Sequence, residues 1–422
     1  MPRSFRIVCG PEHAGLVEEL LRAEGHVFEP EPFFALARKV QEEPTPLGAS
    51  VAAAFGLIYI QDRSSMLAPL FLQPPAGAMV LDMCASPGSK TGLLAQLVGP
   101  SGMVLANEPN PRRLATLRHN LATLNLAQAV TCSRPGQDLP LPEGLFTHVQ
   151  LDPPCSGWGT VERNPRVREM WPEHKLGPLI SLQRKLLRKA ASLLVPGGRL
   201  LYSTCTTNPA ENLEQVEWAR TELGLSSAPL RAVPGFESSQ ELCEAGEGCL
   251  QVHAEAGEGQ GFFFAALARP PSEGLKGFPE PFAAWEPSGR LLHPRDFVGL
   301  EQAAWDRLPP GELREFSGRV MFLPRQATFL PRSLRWQGFE LGRLQGKTPR
   351  LNPRLRLLLP EYAKGHGLNI EDVGELTRLL QGQSLALPAD ASGSRGRIGL
   401  YWRGLPLGWA TLKGRRCLWS SR

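Results

Sequence analysis

Leu200-Leu201-Tyr202-Ser203-Thr204-Cys205-Thr206 follows a Pro196-Gly197-Gly198 turn and reads as a buried strand ending on a cysteine. Thr147-His148-Val149-Gln150-Leu151 has the same layout and runs into Asp152-Pro153-Pro154-Cys155-Ser156-Gly157. In open α/β sheets, ligands bind beyond the carboxyl ends of the strands. Both thiols are therefore expected at one pocket, with Cys205 as a nucleophile. A lone cysteine at a strand end is more often core packing, because free cysteine is among the most buried residue types. Two of them, one beside an acid and two prolines, favour chemistry.

Working outward, strand and helix alternate. Met79-Val80-Leu81-Asp82 reads as a buried strand, followed by Met83-Cys84-Ala85-Ser86-Pro87-Gly88-Ser89-Lys90-Thr91 and a helix through Leu93, Leu94 and Leu97. Gly102 to Glu108 forms a second strand, Pro111 to Leu124 a helix, and Ala129-Val130-Thr131-Cys132 a third strand. The Asp152 strand is fourth, a helix from about Leu179 to Leu194 follows, and the Cys205 strand is fifth. The alternation predicts an α/β fold, a mostly parallel sheet with helices on both faces. After Gly257-Glu258-Gly259-Gln260-Gly261, the run Phe262 to Leu267 predicts a late antiparallel strand.

The loop after Asp82 is neither G-x-G-x-x-G nor a phosphate loop. Its small residues let backbone approach a ligand closely, and the helix start supplies free N–H groups. Glu108, roughly 20 residues on, stands where an acid holds ribose hydroxyls. A ribose partner without a pyrophosphate cradle points to S-adenosylmethionine; the loop itself leaves a nicotinamide cofactor open.

Composition narrows the class. The 422 residues are 42% hydrophobic and carry a formal net charge of +5. Length suggests two or three domains. No apolar run reaches the roughly 20 residues of a membrane span, and the first residues lack the order of a signal peptide. Eight cysteines without a close pair, and scattered histidines, argue against a disulfide framework or a metal site and for a cytoplasmic protein. From Arg319 to Arg356 the sole acid is Glu340, amid Arg325, Arg332, Arg335, Arg343, Lys347, Arg350 and Arg354. Such a patch either tracks phosphates or forms a solvated face.

The divisions expected are a small N-terminal unit over 1–58, the α/β domain over 59–269, a Pro/Gly-rich linker over 270–281, and a C-terminal accessory region over 282–422. In that last region Arg397 to Trp402 and Leu407 to Leu412 predict a hairpin around Gly404 and Pro406.

Three stretches together, Asp82 to Thr91, Asp152 to Gly157 and Ser203 to Thr206, resemble in order and spacing the signature motifs of the Nol–Nop–Sun family of RNA cytosine-5 methyltransferases, and Glu211-Asn212 also fits. The resemblance covers roughly Tyr59 to Leu267. It implies a Rossmann-like domain using S-adenosylmethionine to methylate carbon 5 of cytosine. Cys84, Ala85, Ser86, Pro87, Gly88, Ser89 and Lys90 would form the cofactor loop, with Glu108 on the ribose and Arg113 supporting it. Asp152 would sit between cofactor and base, Cys205 would attack the ring, and Cys155 would help release product. Ser86 departs from the alanine usual there, and Ser133-Arg134-Pro135-Gly136, with Asp138 after it, replaces the expected adenine-binding aspartate. Arg163, Asn164, Arg166 and Arg168 would grip flanking backbone, and Trp158 and Trp171 would stack on bases or pack. The flanking regions resemble the bacterial ribosomal, RsmF-type members, implying an RNA-binding N-terminal unit, a PUA-like RNA-binding tail, and 16S ribosomal RNA or the small ribosomal subunit as partner. Transfer RNA as substrate, or a non-catalytic RNA-binding assembly factor on the same scaffold, are the alternatives.

Overall fold

Val80 and Leu81 are neighbours on one strand, point to opposite faces, and are both fully buried. A strand covered on both sides belongs to a sheet with packing on each face. The computed structural model describes residues 3–161, 164–230, 233–236, 242–253, 259–271, 287–294, 302–346, 348–388 and 396–419. Residues 1–2, Arg163, Gly257-Glu258, most of the expected linker (272–281) and Lys347 lie outside the described residues.

A four-stranded sheet comes first: β1 (Ser4–Ile7), β2 (Val27–Pro30), β3 (Ala37–Glu42) and β4 (Ile58–Ile60), in the order β2-β3-β1-β4, with α1 (Ala14–Ala23) and α2 (Val51–Ala54). A division at 58/59 would cut through β4, which pairs antiparallel with β1 through Phe5↔Ile60 and Ile7↔Ile58. The pairing is non-local, so nothing in the local pattern of Phe55 to Asp62 announces it. The next unit starts at α3 (Arg63–Leu72), capped by the Asp62 side chain on Ser64 N at 3.0 Å.

The central sheet follows: β5 (Met79–Asp82), β6 (Met103–Asn107), β7 (Ala129–Cys132), β8 (Phe146–Leu151), β9 (Leu194–Thr204), β10 (Ser226–Ser227), β11 (Leu242–Gly246), β12 (Cys249–Val252) and β13 (Phe262–Ala268). Its order is β11-β12-β13-β9-β8-β5-β6-β7, with β10 on β13. β5 to β9 are mutually parallel and β13 joins β9 antiparallel. Helices α4 (Ser89–Val98), α5 (Pro111–Leu124), α6 (Val167–Met170), α7 (Gly177–Leu193) and α8 (Leu213–Leu223) complete the unit. Strand order reverses between β5 and β8, the switch point at which a doubly wound sheet opens a crevice. One face packs Leu81, Leu105, Val149 and Leu200, the other Val80, Val104 and Leu201.

The accessory region holds two five-stranded sheets. The first is β14 (Arg290–Leu292), β15 (Gly311–Phe316), β16 (Arg319–Pro324), β17 (Phe339–Gln345) and β18 (Thr348–Leu351); the second is β19 (Leu368–Ile370), β20 (Leu385–Ala386), β21 (Arg397–Trp402), β22 (Leu405–Lys413) and β23 (Arg416–Leu418). The β21–β22 hairpin turns at Arg403-Gly404, and Pro406 lies inside β22 opposite Tyr401, where the register shifts. The last sheet shares one core with the N-terminal sheet: Phe5, Ile7 and Val17 pack with Leu400, Trp402 and Leu407.

Arg356 locks this arrangement. Its half-buried guanidinium donates to Phe55 O at 2.9 Å, Val8 O at 2.8 Å, Gly56 O at 3.0 Å and Leu124 O at 3.0 Å. Arg354 Nε donates to Ala54 O at 3.1 Å. The end of the arginine-rich stretch is thus committed to internal carbonyls, a structural use that composition could not separate from phosphate binding.

Candidate active site

Strand ends place the reactive groups. β5 ends at Asp82, and the loop Cys84 to Gly88 turns into α4 with Gly88 at φ +105°, a conformation that favours glycine. Thr91 Oγ1 donates to Asp82 Oδ2 at 2.6 Å and ties the helix back to the strand. Burial pushes the Asp82 carboxyl up to about 6 and drives the Cys84 thiol well above its ordinary range. Asn107 supports the loop, donating to Met83 O at 3.1 Å and accepting Arg134 N at 3.1 Å.

Glu108, buried, directly follows β6 and accepts Asn110 N at 2.9 Å. Arg113 Nη2 stands 3.4 Å from Glu108 Oε2 and donates to Ser86 O at 3.0 Å. Ser86 Oγ returns a bond to Arg113 O at 3.0 Å. One arginine therefore connects the acid to the loop. The second oxygen of Asp82, Oδ1, is buried with no hydrogen-bond partner. A shaped loop, an orphaned buried acceptor and a clamped acid fit a nucleoside-bearing cofactor.

Lys90, on the first turn of α4, does not join the loop backbone. Its ammonium meets Asp152 Oδ2 at 2.7 Å and lies 5.1 Å from the centre of the Phe262 ring. Ser203 Oγ donates to Asp152 Oδ1 at 3.0 Å. Burial works against the charge on Lys90, but Asp152 and Cys205 outweigh it and hold the ammonium above its ordinary pKa.

β8 and β9 are adjacent and parallel, so the groups at their ends converge. Cys155 Sγ and Cys205 Sγ are 3.2 Å apart. The hydrogen bond from Cys155 lowers the Cys205 pKa against the opposing effect of burial, and Lys90 adds to the lowering. The same bond, with burial, raises Cys155 far above its usual value. Cys205 is the more acidic of the two thiols, since the nearby cation also acts on it; the thiolate is the nucleophilic form.

A buried network fixes that spacing. Glu211 is fully buried and accepts Ser156 N at 2.9 Å, Gln183 Nε2 at 2.9 Å and the Ser156 hydroxyl. Ser156 Oγ also meets Thr206 Oγ1 at 2.7 Å, and Gln183 Nε2 donates to Pro154 O at 3.0 Å. Gly159 N donates to Cys205 O at 3.0 Å, and a Cβ at Gly159 would lie 2.4 Å from Gly261 O. The Cys155 loop is thus stitched to the Cys205 loop by side chains and backbone alike. Farther out, Trp158 Nε1 donates to Trp171 O at 3.0 Å and Arg168 sits 5.7 Å from the Trp158 ring, so Trp158 is held by its own loop. Arg166 and Arg168 are exposed, while Asn164 N bonds Thr160 O at 2.9 Å inside the loop.

Sequence reading singled out the two cysteines, Asp152, the loop and Glu108. It missed Ser203, Asn107 and Gln183, and it put Lys90 in the loop rather than on Asp152. The available signals were weak: Ser203 precedes Cys205 by two residues on the same strand, and Glu211-Asn212 recurs with the motif. Among the described residues no group of three or more metal-ligating side chains comes together, and no helix is long and apolar enough to cross a membrane.

A parallel sheet with this switch point, a buried acid clamped by an arginine and paired thiols at the strand ends defines a Rossmann-like methyltransferase domain of the S-adenosylmethionine-dependent class. Residues 69–268 match the family model described as 16S rRNA methyltransferase RsmB/F. Ribosomal RNA small subunit methyltransferase F of Salmonella heidelberg is 33% identical over 305 residues, covering 67% of this chain and 63% of that protein. Its namesake from Pectobacterium carotovorum is 30% identical, covering 70% of this chain and 66% of that protein. The chain thus spans just under two thirds of these relatives' length. A methyltransferase homologue from Pyrococcus horikoshii is a structural neighbour at TM-score 0.55 and 28% identity, covering 64% of this chain and 87% of that one.

Proposed function

We propose that this protein methylates carbon 5 of cytosine in RNA, with 16S ribosomal RNA as the substrate, through a covalent bond from Cys205. The observation that carries the reading is the 3.2 Å Cys155–Cys205 contact beside the Lys90–Asp152 pair. S-adenosylmethionine, when bound along the Cys84–Gly88 loop with Glu108 on its ribose, supplies an electrophilic methyl group. The Cys205 thiolate adds to carbon 6 of the ring, and the electron pair displaced from the C5–C6 double bond makes carbon 5 nucleophilic. Covalent addition divides one hard step into easier ones. Asp152, positioned by Lys90 and Ser203, faces the ring nitrogen 3 and exocyclic amine edge, where charge changes during addition. After methylation the carbon-5 proton leaves, the C5–C6 double bond re-forms and the C6–S bond breaks, returning the Cys205 thiolate. Cys155 assists this last stage. The target base has to leave its stack to reach such a site.

The substrate reading draws support from the names of the relatives and from the arginine-rich C-terminal sheets, which we assign to RNA binding together with the N-terminal unit. Methyl transfer from labelled S-adenosylmethionine to small-subunit RNA is the test. Cys205→Ala is expected to abolish it, while Cys155→Ala accumulates a protein–RNA adduct that survives denaturing gel electrophoresis. Full activity in the Cys205 variant ends the covalent reading. Bisulfite sequencing that places the mark only on transfer RNA, or no labelling with intact RNA binding, would move the protein to another substrate or to a non-catalytic assembly role.

A further inference from the structure

A cavity of about 910 Å³ lies outside the site described above, between α5 and the accessory sheets. Its walls carry Arg118, Arg319, Arg343, Arg350 and Arg397 against one carboxylate, Glu340. The wall is built by long-range docking: Thr131 on β7, the edge strand of the central sheet, exchanges backbone hydrogen bonds with Gln337, at 2.9 and 2.8 Å. Arg118 Nε is oriented by Thr131 Oγ1 at 2.9 Å. Arg319 and Arg343 share Glu340 at 3.7 and 3.9 Å. An adjoining cavity of about 270 Å³ shares Arg118 and Arg319 and adds Arg335 and Trp336, so the basic lining continues beyond the first hollow.

We infer that this groove is a second RNA contact, holding the phosphodiester backbone of the strand that flanks the target cytosine. Guanidinium groups stay charged and match phosphate oxygens in a planar fork. Five crowded around one carboxylate leave an uncompensated positive field that a chain of phosphates neutralises. The crowding is visible in the groups themselves: burial, then the neighbouring Arg319, disfavours the charge on Arg118, and burial, then Arg350, does the same for Arg397. The placement fits a flanking strand. Four strand steps separate β9, which carries Cys205, from β7 at the groove. At about 4.8 Å per step that is roughly 19 Å, a span of a few nucleotides. Trp409, anchored by Nε1 to Leu355 O at 2.9 Å, offers an aromatic face on the same lining.

The inference rests on the proposed RNA substrate, and the test separates the two. Binding of a fluorescein-labelled single-stranded RNA to the full chain is measured against salt by anisotropy, for the parent, Arg350→Gln/Arg397→Gln, Arg343→Gln and, as an exposed control away from the groove, Arg378→Gln. Each lost phosphate contact lowers the log–log salt slope by about 0.7 for a single strand. The double variant is expected to lose about 1.4 in slope and roughly tenfold or more in affinity at low salt. Arg343→Gln, which covers the case of a misfolded double variant, loses about half as much in slope, and Arg378→Gln keeps the parent's. Parent slopes in the folded double variant and in Arg343→Gln overturn the groove. Competition by ATP at stoichiometric levels, lost in the double variant, would also overturn it by assigning the pocket to a free phosphate ligand. RNA binding through the groove without methyl transfer by the parent defeats the cytosine chemistry alone.

Discussion

Glu211→Ala tests whether the thiol pair is held by the network beneath it. The carboxylate is fully buried and receives three hydrogen bonds, two of them at 2.9 Å, from Ser156 and Gln183. Hydrogen bonds to a charged group contribute about 1.5–3 kcal/mol each, and an orphaned buried donor costs about 1–3 kcal/mol. Against this, deleting the carboxylate removes a desolvation penalty of several kcal/mol. The balance is a loss of about 3 kcal/mol, a shift of roughly 6–12 °C in Tm for a domain of this size. Ser156→Ala leaves the backbone N–H on Glu211 and is expected to cost only about 1 kcal/mol. A second consequence is chemical. The Cys205 pKa is lowered chiefly by the hydrogen bond from Cys155. A released Cys155 loop weakens that bond, the Cys205 pKa climbs back toward its ordinary value, and its alkylation by iodoacetamide near pH 7 slows. Urea unfolding gives the first quantity and mass-spectrometric alkylation rates the second. A Glu211→Ala protein within about 0.5 kcal/mol of the parent and unchanged in alkylation would refute the network's role; surface substitutions commonly stay inside that range.

Two further outcomes are expected. Arg356→Leu strands four carbonyls that its guanidinium now satisfies; it should cost roughly 3–5 kcal/mol and speed proteolytic cleavage around α2, and parent-like protection would show that the apolar core alone holds the units together. His148 lies against Arg199, and burial, then that arginine, depresses its pKa from 6.5 to about 4. The folded state binds fewer protons than the unfolded chain between those values, so this contribution is complete above about pH 6.5 and is lost as pH falls toward 4, by up to about 3 kcal/mol. Asp82, raised to about 6, acts in the opposite direction over part of the range. The readout is therefore the difference between parent and His148→Gln, in which Asp82 cancels; a difference that does not vary between pH 4 and 7 would contradict the assignment.

The alternation of turns, apolar runs and helical stretches was legible because strand and helix period are local properties of the chain. It established the parallel sheet and set Asp82, Glu108, Asp152 and Cys205 at the ends of four of its five parallel strands. The rule that sites gather at strand ends then put both cysteines at one pocket before any contact was known. The tertiary structure decided which side chains meet. That Lys90 turns to Asp152, that Glu211 reaches under Ser156, and that Arg356 serves internal carbonyls while Arg350 lines a groove all depend on distant segments, with partners 55 to 348 residues apart in the first three cases. The shared core of the first and last sheets has the same origin: apolar faces such as Ile7 and Trp402 carry no label for their partner. Hydrophobic burial is non-directional, so composition and period specify that a face is covered, and only the packed chain specifies by what.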